Sequence, residues 1–175
     1  MTTDLHPRAL GGPLMGPWLR GFWFDVPGKW RSKSNYRRGP GQGRDGSGSW
    51  GVQRTFEAQV SALARLWVPD DWELGSREAK VSGRPGVVVF VYVDSLLDVP
   101  NLSKSAVDAL EGAVYFNDAS VRHCASMGLR GREAQSGVIG VVQLGAGVDK
   151  AGLLDASDQL ARVTLREWEN AKSAS

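Results

Sequence analysis

One segment restricts the fold more than any other: Gly86 to Asp94, which reads Gly-Val-Val-Val-Phe-Val-Tyr-Val-Asp. A strand with one wet face alternates apolar and polar side chains. This run does not alternate, so it predicts a strand buried on both faces and central in its sheet. A chain of 175 residues accommodates one such sheet and its covering helices in a single domain.

The flanking segments supply the covering layers. From Val52 to Trp67, the residues Phe56, Val60, Leu63 and Trp67 recur at spacings of three and four, which predicts a helix with one apolar face. Pro69 stops it. After the apolar strand, Asp98 is placed to cap a second helix, and Pro100 falls in its first turn, where a missing N–H costs nothing. Leu102, Ala106, Ala109 and Leu110 form its inner stripe, and Gly112 ends it. Ala113 to Phe116 reads as short and extended, with a turn at Asn117-Asp118. Val121–Leu129 and Val138–Leu144 read as strands able to form a hairpin. Ser157 to Ala171 reads as a helix with Leu160, Val163 and Trp168 inward. Near the N-terminus, Trp18 to Val26 is rich in aromatic residues and reads as a strand ended by Pro27-Gly28. Residues 1–17 hold three prolines and three glycines without period and read as a loose tail. The expected class is therefore α+β: a small mixed sheet of about four strands with two or three helices. It forms a single domain over residues 18–172.

Residues 27–51 read as a long loop, rich in Gly, Ser, Arg and Lys. From Lys29 to Arg54 there are seven basic residues (Lys29, Arg31, Lys33, Arg37, Arg38, Arg44, Arg54) against one acid, Asp45. That excess suits a phosphate backbone, and it also suits a solvated loop. Trp30 and Trp50 lie within the stretch and could stack on bases or simply pack. The whole-chain charge is only +2, so no global field forces a nucleic-acid partner. The single cysteine, Cys124, excludes an intramolecular disulfide and a cysteine-based zinc cluster. No apolar run is long enough for a bilayer, and no secretory signal opens the chain. A cytoplasmic location is the expectation.

Several chemistries lack their residues. There is no Gly-x-x-x-x-Gly-Lys-Ser/Thr loop, no His-Glu-x-x-His, no Gly-x-Ser-x-Gly, and only His6 and His123 among histidines. What remains is carboxylates around the apolar strand: Asp94 and Asp98 at its C-terminal end, and Asp118 beyond the helix it feeds. Converging carboxylates can hold Mg2+ or Mn2+ and activate water on a phosphodiester. Asp98 also fits a plain helix cap, and Asp118 a plain turn residue. On the helix, Asn101, Lys104 and Asp108 share a polar face. Lys104 there could offset charge developing on a phosphate. His123 and Cys124 read as a surface histidine and a small core residue.

These residues match a family pattern. Asp98-Val-Pro-Asn101-Leu-Ser-Lys104-Ser-Ala-Val-Asp108-Ala-Leu110-Glu-Gly112, followed by Tyr115 and Asn117-Asp118-Ala-Ser-Val121, resembles the signature of the RusA family of Holliday junction resolvases. That signature is Asp-x-Asp-Asn-x-x-Lys-x-x-x-Asp-x-Leu-x-Gly, an aromatic, then Asp-Asp-x-x-Val. The match covers about a seventh of the chain. The order of elements elsewhere agrees more loosely, from Phe22–Pro27 and the basic segment onward.

The resemblance implies a homodimeric, bacterial or phage-encoded endonuclease that nicks four-way DNA junctions with Mg2+ or Mn2+. It implies Asp98 and Asp118 as catalytic metal ligands, Lys104 as the functional lysine, and Asn101 and Asp108 in supporting roles. Lys29, Arg31, Lys33, Arg37 and Arg38 would contact DNA. Two positions depart from the pattern. Pro100 stands where the second aspartate belongs, and Asn117 replaces the first of the paired aspartates. A relocated ligand such as Asp94 is one consequence; a protein that binds junctions with weakened or lost cutting is the alternative.

Overall fold

The uninterrupted apolar run is accounted for by what lies above and below it. In the computed structural model, which describes residues 9–28, 30, 49–72, 86–94, 99–116, 118–129, 136–145 and 147–175, the run forms β3 (Val87–Asp94). The other elements are β1 (Gly11–Pro13), β2 (Arg20–Pro27), α1 (Ser49–Trp67), α2 (Val99–Leu110), β4 (Val121–Leu129), β5 (Ser136–Gln143) and α3 (Lys150–Ser173). The strands make one mixed sheet in the order β1-β2-β5-β3-β4. Helices α1 and α2 cover one face and α3 the other, so the protein is α+β in three layers.

The pleat divides β3 between two cores. Val87, Val89, Val91 and Val93 join Phe56, Val60 and Ala64 of α1 and Leu102, Ala106 and Leu110 of α2. Val88 and Phe90 join Ala156, Leu160 and Trp168 of α3. Because both sets are buried, no polar residue can be tolerated on either face, and the alternation disappears. The four residues expected to line α2 inwardly are all buried.

Three expectations are corrected. The hairpin between β4 and β5 does not form: β3 lies between them, antiparallel to β5 and parallel to β4. The physical reason is that an interior strand needs hydrogen bonds on both edges. The parallel partner arrives through the α2 crossover, as parallel pairs require. The loose tail over 1–17 is in part ordered, since Gly11–Pro13 pairs with Phe22–Phe24 and makes a fifth strand. At Gly11 a side chain has no room, because a Cβ there would sit 2.4 Å from the Trp67 indole. The basic loop gives up its last residues to α1, which begins at Ser49.

The last helix is longer than its apolar pattern suggests. Asp149 caps it, accepting a hydrogen bond from the Gly152 N–H at 2.8 Å. Its buried face steps by four through Ala156, Leu160, Thr164 and Trp168. At its far end the Trp168 indole N–H donates to the Asp25 carboxylate of β2 at 2.6 Å. Burial holds the Asp25 carboxyl above its ordinary value of 3.8, although the Trp168 hydrogen bond and the nearby Lys172 pull the other way.

Candidate functional site

The signature residues fall on a β3–α2–β4 unit, whose helix is built to present two unlike faces. Pro100 sits in the first turn of α2. Ser103 and Ser105 are buried on α2, but their hydroxyls donate to the carbonyls of Val99 (2.9 Å) and Asn101 (3.2 Å), which satisfies them without interrupting the apolar contact. Lys104 is exposed, and Asn101 and Asp108 are half-buried. The polar row and the apolar row therefore separate as the spacing requires.

After α2, Gly112 takes a positive φ of 77°, a conformation available to glycine at little cost. The chain turns back so that Gly112 N–H donates to the Tyr115 carbonyl at 2.8 Å. Tyr115 is fully buried, and its hydroxyl donates to the Val107 carbonyl. Burial raises the Tyr115 pKa, and Cys124, Asp108, Glu111 and Asp118 raise it further. These acidic groups gather around the C-terminal end of α2. Cys124, expected as a small core residue, is instead exposed on β4, and desolvation of its thiol by the packing around it pushes its pKa up to about 11.

The parallel register fixes where the carboxylates lie. Val87 pairs with Val121, and Asp94 pairs with Leu129 at the other end. Asp118, in a 3-10 turn just before Val121, is exposed at the Val87 end. The seven residue steps from Val87 to Asp94, at about 3.3 Å each, place Asp94 roughly 23 Å away. The pleat also turns Asp94 toward the α3 face, with Tyr92, whose hydroxyl pKa is raised by burial, by Asp94 and by Glu169. Asp94 and Asp118 therefore share no site within one chain.

The start of α2 lies at the Asp94 end as well. Val99 covers Gly128, where a Cβ would stand 2.4 Å from Val99 Cγ2. The helix then runs about 18 Å over its twelve residues before the chain reaches Asp118. Asp98 and Asn117 lie outside the described residues. Mg2+ binds oxygens at about 2.1 Å, so two carboxylates sharing one ion must lie within a few ångströms. Among the described residues no group of three or more His, Cys, Asp or Glu is arranged to hold a metal ion. The described residues of one chain thus do not by themselves form the expected ion site.

The basic residues Lys29, Arg31, Lys33, Arg37 and Arg38 lie outside the described residues. Trp30 does not project for stacking: it is 2% exposed, donates its indole N–H to the Val26 carbonyl at 3.2 Å, and packs on Phe56. The half-buried carboxyl of Asp25 escaped the sequence reading, because one aspartate in an aromatic strand carries no spacing signal. Neither a protein-family model nor a curated protein sequence matches this chain.

Proposed function

We propose that the chain is a structure-selective endodeoxyribonuclease of the RusA type, acting on four-way DNA junctions with Mg2+ or Mn2+. One observation carries the reading: the signature residues Asn101, Lys104 and Asp108 lie along the polar side of α2, while the stripe between them is buried. An exposed lysine on that face suits a phosphate, where it offsets negative charge. The exposed Asp118 supplies a carboxylate beyond the same helix.

A second reading is a junction-binding protein of the same type with weakened cutting. Two observations favour it. Pro100 offers no ligand atom, and Asp118 lies at the opposite end of α2 from Val99.

The test is incubation of a synthetic four-way junction with each ion. Paired nicks in opposed strands, lost in Asp118→Asn and in Lys104→Ala, are the expected result. Binding without nicks, equally strong in Asp118→Asn, supports the second reading instead. Binding through the basic segment should weaken steeply with salt in either case.

A further inference from the structure

The parallel pair of β3 and β4 is regular except at one step. Val87 pairs with Val121, and Val88 pairs with His123. Two residues of β4 therefore stand against one step of β3, and Arg122 is the extra one. Bulges are rare between parallel strands, and they gather at sheet edges and beside functional sites, where they re-aim a side chain. Here the side chain re-aimed is an arginine. Its stem lies across Gly86, the residue before β3: a Cβ on Gly86 would stand 1.9 Å from Arg122 Cγ, 2.8 Å from Cδ and 2.7 Å from Nε. Gly86 is buried, and its carbonyl accepts a hydrogen bond from the Leu144 N–H at 3.0 Å. The stem thus has a fixed seat that any side chain at position 86 would take away.

The guanidinium beyond that seat has no partner. Arg20, Arg162 and Arg166 each lie against a carboxylate, of Asp71, Asp158 and Glu167. Arg122 is exposed, and among the described residues it makes no ion pair or hydrogen bond. An arginine seated by its stem loses less freedom on meeting an anion than a wholly free one, and its planar fork matches two oxygens of a phosphate. Arg122 follows Asp118 by four residues at the same end of the sheet. Four residue steps span at most about 14 Å. One strand of duplex DNA rises about 3.4 Å per nucleotide, so the two side chains address the same short stretch of backbone. We propose that Arg122 binds a DNA backbone phosphate within about four nucleotides of the one that Asp118 serves. This rests on the DNA-junction reading above and extends it to a residue outside the signature, which ends at Val121.

The test is binding of the full chain to a synthetic four-way junction without divalent ions, so that binding is read apart from cutting. Arg122→Met keeps an apolar stem over Gly86 and removes the charge. The slope of log affinity against log salt should fall in magnitude by about 0.9, so the ratio of wild-type to variant affinity should be about 3.5 times larger at 50 mM salt than at 200 mM. Arg122→Lys keeps the charge and should keep the wild-type slope. Uncharged methylphosphonate linkages, placed one at a time around the crossover, should weaken wild type at one position to which Arg122→Met is indifferent. An Arg122→Met slope equal to wild type overturns the proposal. So does a slope lost equally in Arg122→Lys, or a response of Arg122→Met to the same linkages as wild type. Nicking by wild type with an unchanged Arg122→Met slope removes the arginine contact alone. A reduced slope in a protein that never nicks the junction removes the cutting and leaves the contact standing.

Discussion

Gly140 is where the docking of α3 on the sheet can be tested most sharply. It lies on the middle strand, β5, and carries no side chain because Thr164 and Leu160 occupy the space. A Cβ there would sit 2.2 Å from Thr164 Oγ1 and 3.1 Å from Leu160 Cδ1. Ordinary contact begins near 3.4 Å, so Gly140→Ala forces the helix outward by about 1 Å. Overpacking of this kind costs about 1–3 kcal/mol. The stiffer unfolded chain returns roughly 0.4–1 kcal/mol, which does not cancel it. At about 2–4 °C per kcal/mol for a chain of this size, the unfolding temperature should drop by several degrees.

Thr164 provides the partner for a double-mutant cycle. Its hydroxyl is buried with no hydrogen-bond partner, so Thr164→Ala relieves an unpaired polar group worth about 1–3 kcal/mol. The lost methyl subtracts roughly 0.8 kcal/mol. In the double variant the new methyl fills the space that Thr164 leaves, and a favourable coupling of about 1–2 kcal/mol should appear. Urea unfolding of the four proteins measures it. Additivity within about 0.5 kcal/mol, or a Gly140→Ala protein as stable as wild type, would refute the clash as the reason for glycine.

Asp25→Asn should be stabilising at neutral pH. The folded carboxyl binds its proton more tightly than the unfolded one, so the stability it contributes is fullest below 3.8 and falls as pH rises through the raised value. An amide keeps an acceptor for the Trp168 indole without the partly desolvated charge. Urea midpoints against pH should show the variant ahead at pH 7 and level with wild type in acid; a variant that is weaker at pH 7 contradicts this. Cys124 is exposed to reagents, so its reactivity should be set by its thiolate fraction: a pKa raised from 9.0 to about 11 lowers that fraction at pH 7 by roughly a hundredfold. Its labelling rate should keep rising with pH up to about 11, and a plateau near pH 9 would sink the assignment.

How much of the molecule could be read beforehand depends on whether the relevant force was local. β3 and β4 were legible to within a residue, because their ends are marked by Gly86, Asp94 and the turn before Val121. The apolar stripe of α2 was legible, but the burial of Ser103 and Ser105 beside it was not, because each satisfies its hydroxyl within its own helix. The start of α3 was missed because its first turns are largely exposed, Leu154 included, so no stripe announces them. β1 was missed because three residues carry no period, and its reason for existing, the Trp67 indole over Gly11, lies in another helix. In the candidate site, the residues and their shared helix face were readable from spacing. That Asp94 and Asp118 stand at opposite ends of β3 was not, since spacing is silent on whether the next strand returns parallel or antiparallel.

The sequence by itself therefore determined which segments are apolar on one side or two, where the helices break, and that a polar row of Asn101, Lys104 and Asp108 would face away from the core. Those follow from side-chain period and backbone chemistry within a few residues. The tertiary structure alone decided that β3 would lie between β5 and β4, that α2 would separate the start of the signature from its end, and that β4 would be left at the rim. These depend on hydrogen bonds and packing between residues far apart in the chain, where several pairings satisfy the same local pattern and only the assembled core selects one.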